Sequence, residues 1–426
     1  MNRDVRVEII TSVEKSHHEI VSFLQELIKI NSVTGNEGEI QAFIASTLNK
    51  MGLEVDRFEP DVETLRDYQG FIEPDLPFSG RPNVVGIWGG KGNGKSILFN
   101  GHVDTVPLDP EGEWFESPLS GIVADGKIWG RGASDMKAGL AAMTMAVSIL
   151  KKSGFHPDGD VILEYVVDEE RTGLGTLACV HRGYKADAGI CCETSDLQVM
   201  PACIGRMWFT IRLRGKPSGI SARWEGVSAI EKAIKIVHAV DDLERIRIQD
   251  LHHPLYPDNR GALPCAVTMF QSGTFPSSTP DVAILHGSMG LMPNEEPENV
   301  NKQLLEQIKL VSLADPWLRN NLPEVTTEGG YVAAGAEIPT DHPIVQTIKS
   351  VYQEVSGELP LIGGRMGAAD TRFLIRNGNT PTVIFGPGVT AQMHAMNEYV
   401  PVENLITVTK ALALTIYRWC NNHDSL

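Results

Sequence analysis

The chain has 426 residues, too many for one ordinary hydrophobic core, and its 42% of apolar side chains is enough to fill two. Its 54 acidic residues against 37 basic ones leave a net charge of -17, which excludes a nucleic-acid surface built on a clustered positive face. Most of those acids must be solvated surface, although an excess of carboxylates also suits a site for divalent cations.

In chain order, the first ten residues carry charges where an export signal needs an apolar core, so no export signal is expected there. Ile20, Val21, Phe23, Leu24, Leu27 and Ile28 recur at helical spacing and predict a helix over 19–30, broken by Asn31 to Gly35. A second helix is predicted over 37–50 with Gly52 as its stop, then strands over 53–58 and 83–88 with a proline-rich loop between them. Gly89-Gly-Lys-Gly-Asn-Gly-Lys-Ser96 matches the phosphate-binding pattern G-x-x-x-x-G-K-[ST]. Such a loop works through the amides of a helix directly after it, whereas the residues from Ile97 onward are strand-like. We read it as a hairpin loop between two strands, with a P-loop NTPase as a remote alternative.

The stretch Ser96 to Pro107 reads as a buried strand that stops at Asn100-Gly101 and delivers His102 and Asp104 to its end. Two residues apart in extended backbone, these side chains share a face, and a carboxylate there can orient an imidazole toward a metal. A purely structural clamp is the plainer alternative. A loop over 109–115 and short strands near Ile122 and Ile128 lead to Trp129-Gly-Arg-Gly-Ala-Ser-Asp-Met-Lys-Ala-Gly139, which opens an Ala-rich helix over 138–150. That run ends at Lys151-Lys152, short of the ~20 apolar residues that span a bilayer, so no membrane partner is expected. Asp135 precedes the helix, where capping is the plain reading.

A strand over 161–167 runs directly into Asp168-Glu169-Glu170, three acids that repel one another and that a cation would hold together. A shorter strand over 188–192 delivers Glu193. Three successive strand ends thus present carboxylates, and open α/β sheets build their sites at the carboxyl ends of strands. The six cysteines, including Cys191 and Cys192, lack paired CxxC spacing and read as reduced, buried thiols, which predicts a cytoplasmic protein.

From about residue 205 the texture changes. Trp208 to Arg214 alternates with period two, a helix is predicted over 227–243, and further alternating segments lie between Ala266 and Met289. This predicts an inserted α+β domain over 204–323, an antiparallel sheet with helices on one face, between the two pieces 1–203 and 324–426 of a catalytic domain. A helix over 341–354, a Gly-rich turn from Gly363 to Arg372, a strand over 382–385, a loop bearing His394 and a helix over 402–419 complete that domain.

Collected, the candidates are His102, Asp104, Asp135, Glu169, Glu170, Glu193 and His394. Two imidazoles with several carboxylates suit Zn, Co or Mn, and bridging carboxylates allow two ions. In Gly101-His-Val-Asp-Thr-Val-Pro107, Gly130-Arg-Gly-Ala-Ser-Asp-Met-Lys137, Asp168-Glu-Glu-Arg-Thr-Gly173, Glu193 and His394-Ala-Met-Asn-Glu398, in that order, the chain resembles a known family. It is that of the zinc-dependent amidohydrolases and exopeptidases, which includes acetylornithine deacetylase, succinyl-diaminopimelate desuccinylase and aminoacylase. The resemblance spans essentially the whole chain. It implies an α/β fold of two domains, a di-metal catalytic domain with a mixed sheet flanked by helices and an α+β lid that pairs two subunits as a homodimer. It also implies two divalent ions, Zn first with Co or Mn as alternatives, one held by His102, Asp135 and Glu193 and the other by Asp135, Glu170 and His394. Glu169 would then be the general base and later acid, and Asp104 would orient His102. The implied reaction is hydrolysis of a C–N amide bond that frees a small acyl group, formyl or acetyl, from an N-acylated small-molecule amine.

Two departures from the family bear on substrate. Many relatives read Gly-Lys-x-x-His after the first lid strand, where the His stabilises the oxyanion in the partner subunit's site, but this chain has Gly215-Lys-Pro-Ser-Gly219. Losing such a donor costs about 10²–10³ in rate. Amino-acid-specific relatives also carry Ser or Thr before Asp370, whereas Ala368-Ala369 cannot hydrogen-bond a substrate carboxylate and would leave Arg365 or Arg372 to compensate. The second departure favours a carboxylate-poor substrate, such as the N-formyl aminopyrimidine that one branch of the family deformylates in thiamin salvage. An N-acetyl amino acid deacetylase of the acetylornithine type, a dipeptidase or a carboxypeptidase is the alternative inside the family. Outside it stand the P-loop NTPase and a catalytically degenerate metal-binding protein, which Gly219 alone supports.

Overall fold

The computed structural model describes residues 5–108, 111–327 and 330–421. Residues 1–4 of the charged N-terminal segment and 109–110 of the predicted loop lie outside the described residues. The chain divides into two compact units, one of residues 1–202, 338–365 and 369–426, the other of residues 203–337 and 366–368.

The larger unit is built on a mixed sheet. Its strands include β1 (Glu54–Phe58), β2 (Asn83–Trp88), β3 (Ile97–His102), β4 (Val161–Val166), β5 (Ala188–Cys191) and β6 (Val199–Cys203), with Thr382–Ile384 between the last two, in the order β1-β2-β4-β3-β5-(382–384)-β6, and Ile362–Arg365 also pairs with β6. The four central strands run parallel. β3, β4 and β5 are buried along their whole length, which is why they read as apolar runs without alternation. In register, His102 lies opposite Val166 and Asn100 opposite Cys191. His102, the acids after β4 and Glu193 therefore emerge at one edge of the sheet.

Helix Ala138–Lys152 packs on β3, β4 and helix Val402–Cys420 and is buried from Ala138 through Leu150. Its first turn presses on the end of β5, where a Cβ on Gly139 would stand 1.9 Å from the Cys192 carbonyl oxygen. Only glycine lets the two segments approach so closely.

The loop Gly89 to Ser96 joins β2 to β3, but these strands do not pair, since β4 lies between them, antiparallel to β2 and parallel to β3. The predicted hairpin is therefore a crossover. Its amides are committed elsewhere, Gly90 N to Asp160 Oδ1 at 2.8 Å, Gly92 N to the Asp158 carbonyl at 2.9 Å and Ser96 N to Asp187 Oδ2 at 2.7 Å. With a strand directly after it and its donors taken, this loop is no phosphate cradle.

The second unit carries an antiparallel sheet of β7 (Gly205–Arg214), β8 (Cys265–Ser272), β9 (Val282–Leu291) and β10 (Glu324–Thr326), in the order β8-β9-β7-β10. Phe209, Ile211, Leu213 and Leu285 form a core with Ile236 and Val240 of helix Ala229–Asp250 and Val300 and Leu304 of helix Pro297–Ala314. The unit runs to Glu337 rather than ending at 323, because β10 and Val332–Ala333 both pair with β7. Helix Ala229–Asp250 outruns its predicted end at 243 because Arg247 is buried and paired with Glu295 Oε2 at 2.7 Å, a tertiary contact that periodicity does not carry. Among the described residues all six cysteines are free and buried, and no helix is long and apolar enough to cross a membrane.

Beneath the sheet edge lies a buried polar chain. Asn100 Nδ2 donates to Glu164 Oε2 at 3.0 Å and lies 3.1 Å from Thr176 Oγ1, which donates to Asp370 Oδ2 at 2.6 Å. Burial pushes the Glu164 carboxyl up to about 8, so near neutrality the folded chain keeps a proton there that the unfolded chain has lost. Stability from this group is complete below the ordinary carboxylate range and declines as pH rises toward about 8, by up to ~1.4 kcal/mol per pH unit. Glu164→Gln, which has no proton to lose, is expected to flatten that decline in urea titrations between about pH 5 and about pH 8, and an unchanged slope would refute the assignment.

Candidate active site

His102 ends β3 with 1% of its side chain exposed. Its Nδ1 lies 2.8 Å from the carbonyl oxygen of Asp104. A carbonyl only accepts, so Nδ1 carries the ring proton in the neutral imidazole and Nε2 offers a lone pair. Around that Nε2 stand Asp135 Oδ1 at 3.1 Å, Glu193 Oε1 at 3.2 Å and Glu169 Oε2 at 4.0 Å. A lone pair facing three carboxylate oxygens is repulsive unless a proton or a metal cation stands between them.

Asp104 does not orient the ring through its carboxylate, whose Oδ1 stays 3.6 Å from Nδ1; the backbone carbonyl does so instead. The carboxylate, fully buried and pushed by burial up to about 7, accepts from Glu169 N at 3.1 Å, Glu170 N at 3.2 Å and Thr34 Oγ1 at 2.9 Å. It thereby fixes the backbone of both acids.

Asp135 sits in the turn Ala133–Lys137 with non-helical backbone and makes no cap for the helix after it. Its Oδ1 faces His102 and its Oδ2 stands 3.4 Å from His394 Nε2. The turn is fastened by Glu398, whose two oxygens accept from Ser134 N, Asp135 N, Gly132 N and Arg131 Nη1 at 2.8 to 2.9 Å. Glu398 closes the motif that begins at His394, but nothing in the sequence marks it as the anchor of a turn so far along the chain.

After β4, Asp168 adopts φ +68° and is held by Arg81, whose Nη2 donates to Asp168 Oδ1 at 2.7 Å and to Glu37 Oε1 at 2.6 Å. No sequence pattern points to Arg81, whose partners come from distant segments. Glu170 Oε2 lies 3.0 Å from His394 Nε2, while its buried Oε1 has no hydrogen-bond donor among the described residues. Glu193 Oε2 lies 3.2 Å from Arg365 Nη2. His394, on a left-handed residue (φ +59°), is half exposed.

All seven predicted residues thus converge. Donor atoms of His102, Asp135 and Glu170, and of His102, Glu169 and Glu193, lie within 4.8 Å of one another. The electrostatics agree with a cation site. Burial raises Glu169 and Glu170, whereas Asp135 is lowered against burial by the two imidazoles. His394 is raised to about 10 by Asp135 and Glu170, and His102 is raised against burial by Asp135 and Glu193. An orphaned buried oxygen, a lone pair aimed at carboxylates and an oxygen-rich set with two nitrogens fit divalent metal ions.

The profile of peptidase family M20/M25/M40 matches residues 98–418. The chain is 29% identical over 431 residues to the N-formyl-4-amino-5-aminomethyl-2-methylpyrimidine deformylase of Bacillus subtilis, covering 96% of each. It is 27% identical over 411 residues to the succinyl-diaminopimelate desuccinylase of Cereibacter sphaeroides, covering 93% of this chain and 98% of that one. Among solved structures, the aminopeptidase PepT of Bacillus cereus superposes with a TM-score of 0.73 at 21% identity, covering 95% of this chain and 99% of that one.

Removing the Glu398 carboxylate would strand three buried amides and a guanidinium. Glu398→Ala is expected to lower unfolding stability by about 3–5 kcal/mol, the range for breaking a buried charged pair, and a loss below about 1 kcal/mol in denaturant titrations would contradict the anchoring role.

Proposed function

Since the chain belongs to peptidase family M20/M25/M40 and is an amide-bond hydrolase, we propose that it uses two divalent metal ions to remove a formyl group from an aminopyrimidine amine. His102, Asp135 and Glu193 would hold one ion, and Asp135, Glu170 and His394 the other, with zinc preferred and Co or Mn as alternatives. Such ions supply Lewis-acid polarisation of the scissile carbonyl and acidify water near pH 7.

The chain's own residues do the rest. Glu169, raised by burial and bordered by Glu170 and Asp104, takes the proton of the attacking water as oxygen adds to the formyl carbon. The same carboxyl then gives that proton to the amine nitrogen as the C–N bond breaks. Formate and the free amine result, and the atoms balance with one water consumed.

The observation that favours a carboxylate-free substrate concerns the two arginines that would otherwise anchor a carboxylate. Arg365 donates to the Thr194 carbonyl at 2.8 Å beside Glu193, and Arg372 donates to the Thr172 carbonyl at 3.0 Å with its guanidinium over the Phe373 ring. Only 11% and 4% of these side chains are exposed. Ala369 is fully buried and offers no hydroxyl. These commitments agree with the deformylase likeness and disfavour an acidic substrate such as a succinylated or acetylated amino acid. The second unit is taken as the dimerisation lid, since β8 ends its sheet with Met269 and Phe270 exposed, an edge that suits a second copy of the chain. A cytoplasmic location accords with the six free thiols.

Purified protein supplied with Zn, Co or Mn is expected to release amine from an N-formyl aminomethylpyrimidine with kcat/KM at least ~100-fold above that for N-acetylornithine or N-succinyl-diaminopimelate, a gap of roughly 3 kcal/mol. The reverse preference would overturn the substrate assignment. In the same assay Glu169→Gln should lower kcat by ~10²–10⁴ with metal content unchanged, and a smaller loss would remove it as general base.

A further inference from the structure

We propose that Arg365 is a positioning residue, which ties Glu193 to the loop carrying His394 and so keeps the donor cluster shaped for two cations. The inference rests on the dinuclear reading of the site. Arg365 closes the short strand Ile362–Arg365, and its guanidinium reaches three points. Nη2 stands 3.2 Å from Glu193 Oε2 and 3.6 Å from Met393 Sδ, the residue before His394, while Nη1 donates to the Thr194 carbonyl at 2.8 Å. One planar fork thus touches a carboxylate of the cluster, the backbone after it and the loop of the exposed imidazole.

The consequence for Glu193 is specific. Its Oε2 already accepts from Thr194 N at 3.0 Å, and Arg365 is its second neighbour. Its Oε1 is left 3.2 Å from His102 Nε2 with no hydrogen-bond donor of good geometry among the described residues. A carboxylate tied by one oxygen presents the other in a defined direction, as charged groups behind metal ligands do elsewhere. Lysine offers a point charge but not the fork that spans carboxylate and carbonyl together.

A rival account makes Arg365 a counter-charge only. A fixed cation so close to a cation site weakens metal binding by Coulomb repulsion, so removing it should tighten binding. Positioning predicts the opposite sign. A merely structural role predicts a third result, a lower melting temperature of the metal-free protein with zinc affinity untouched.

Zinc uptake by metal-free wild type, Arg365→Lys and Arg365→Met would be followed by chelator competition, alongside thermal melting with and without zinc. The expected result is two ions per wild-type chain and, in both variants, a tenfold or greater loss of affinity for one of them, within the ~10–100-fold range for residues that support metal ligands. The metal-free melting temperature should stay near wild type in at least the lysine variant. Unchanged or tighter binding in Arg365→Met, wild-type binding in Arg365→Lys, or an effect confined to metal-free melting would each overturn the inference and leave the dinuclear reading standing. A wild type that takes up no zinc would overturn both.

Discussion

Like charges repel most strongly where water is scarce, and this protein gathers Asp135, Glu169, Glu170 and Glu193 around one buried imidazole. Such a cluster persists only if compensating charge is available and if each carboxylate is prevented from turning away. Divalent metal ions would supply the first need. The second need accounts for much of the polar architecture around the site. Asp104 grips the backbone of Glu169 and Glu170, Glu398 grips the turn of Asp135, and Arg81 grips Asp168.

These supports act by hydrogen bonds to backbone as well as to side chains. Glu398 accepts from the amides of Gly132, Ser134 and Asp135, so the Asp135 carboxylate is aimed by the path of the chain rather than by its rotamer alone. The same holds for His102, whose tautomer is set by the Asp104 carbonyl two residues on. A site held in this way has its polar groups oriented by the fold itself.

The sheet makes the gathering possible. Parallel strands in register end together, so β3, β4 and β5 bring residues from three separate stretches of sequence to a common edge. Helix Ala138–Lys152, small enough at Gly139 to touch the Cys192 backbone, brings the turn of Asp135 against the same edge. Arg365 and Arg372 in turn spend hydrogen bonds on the chain itself, at the Thr194 and Thr172 carbonyls.

Much of this was legible in the residues. Period and run length marked the buried strands and the long helices, because burial on both faces or on one leaves a pattern in apolar spacing. The order of five short motifs marked His102, Asp135, Glu169, Glu170, Glu193 and His394 as one candidate set, since imidazoles and carboxylates in sequence order are visible without knowledge of their surroundings. The P-loop match could be set aside from sequence, yet that the loop crosses over β4 instead of forming a hairpin depended on strand order, which local pattern does not encode. The end of helix Ala229–Asp250 depended on a buried Arg247 pair, and the limit of the second unit on strands that join β7 late in the chain. Arg81, Arg365 and Glu398 gain their roles from partners far away in sequence, and Asp104 uses its carbonyl on the ring and its carboxylate elsewhere. Residue type and spacing determined which chemistry the chain can perform, whereas long-range packing alone decided which atoms hold those residues in place, because a hydrogen bond is specified by three-dimensional distance and direction.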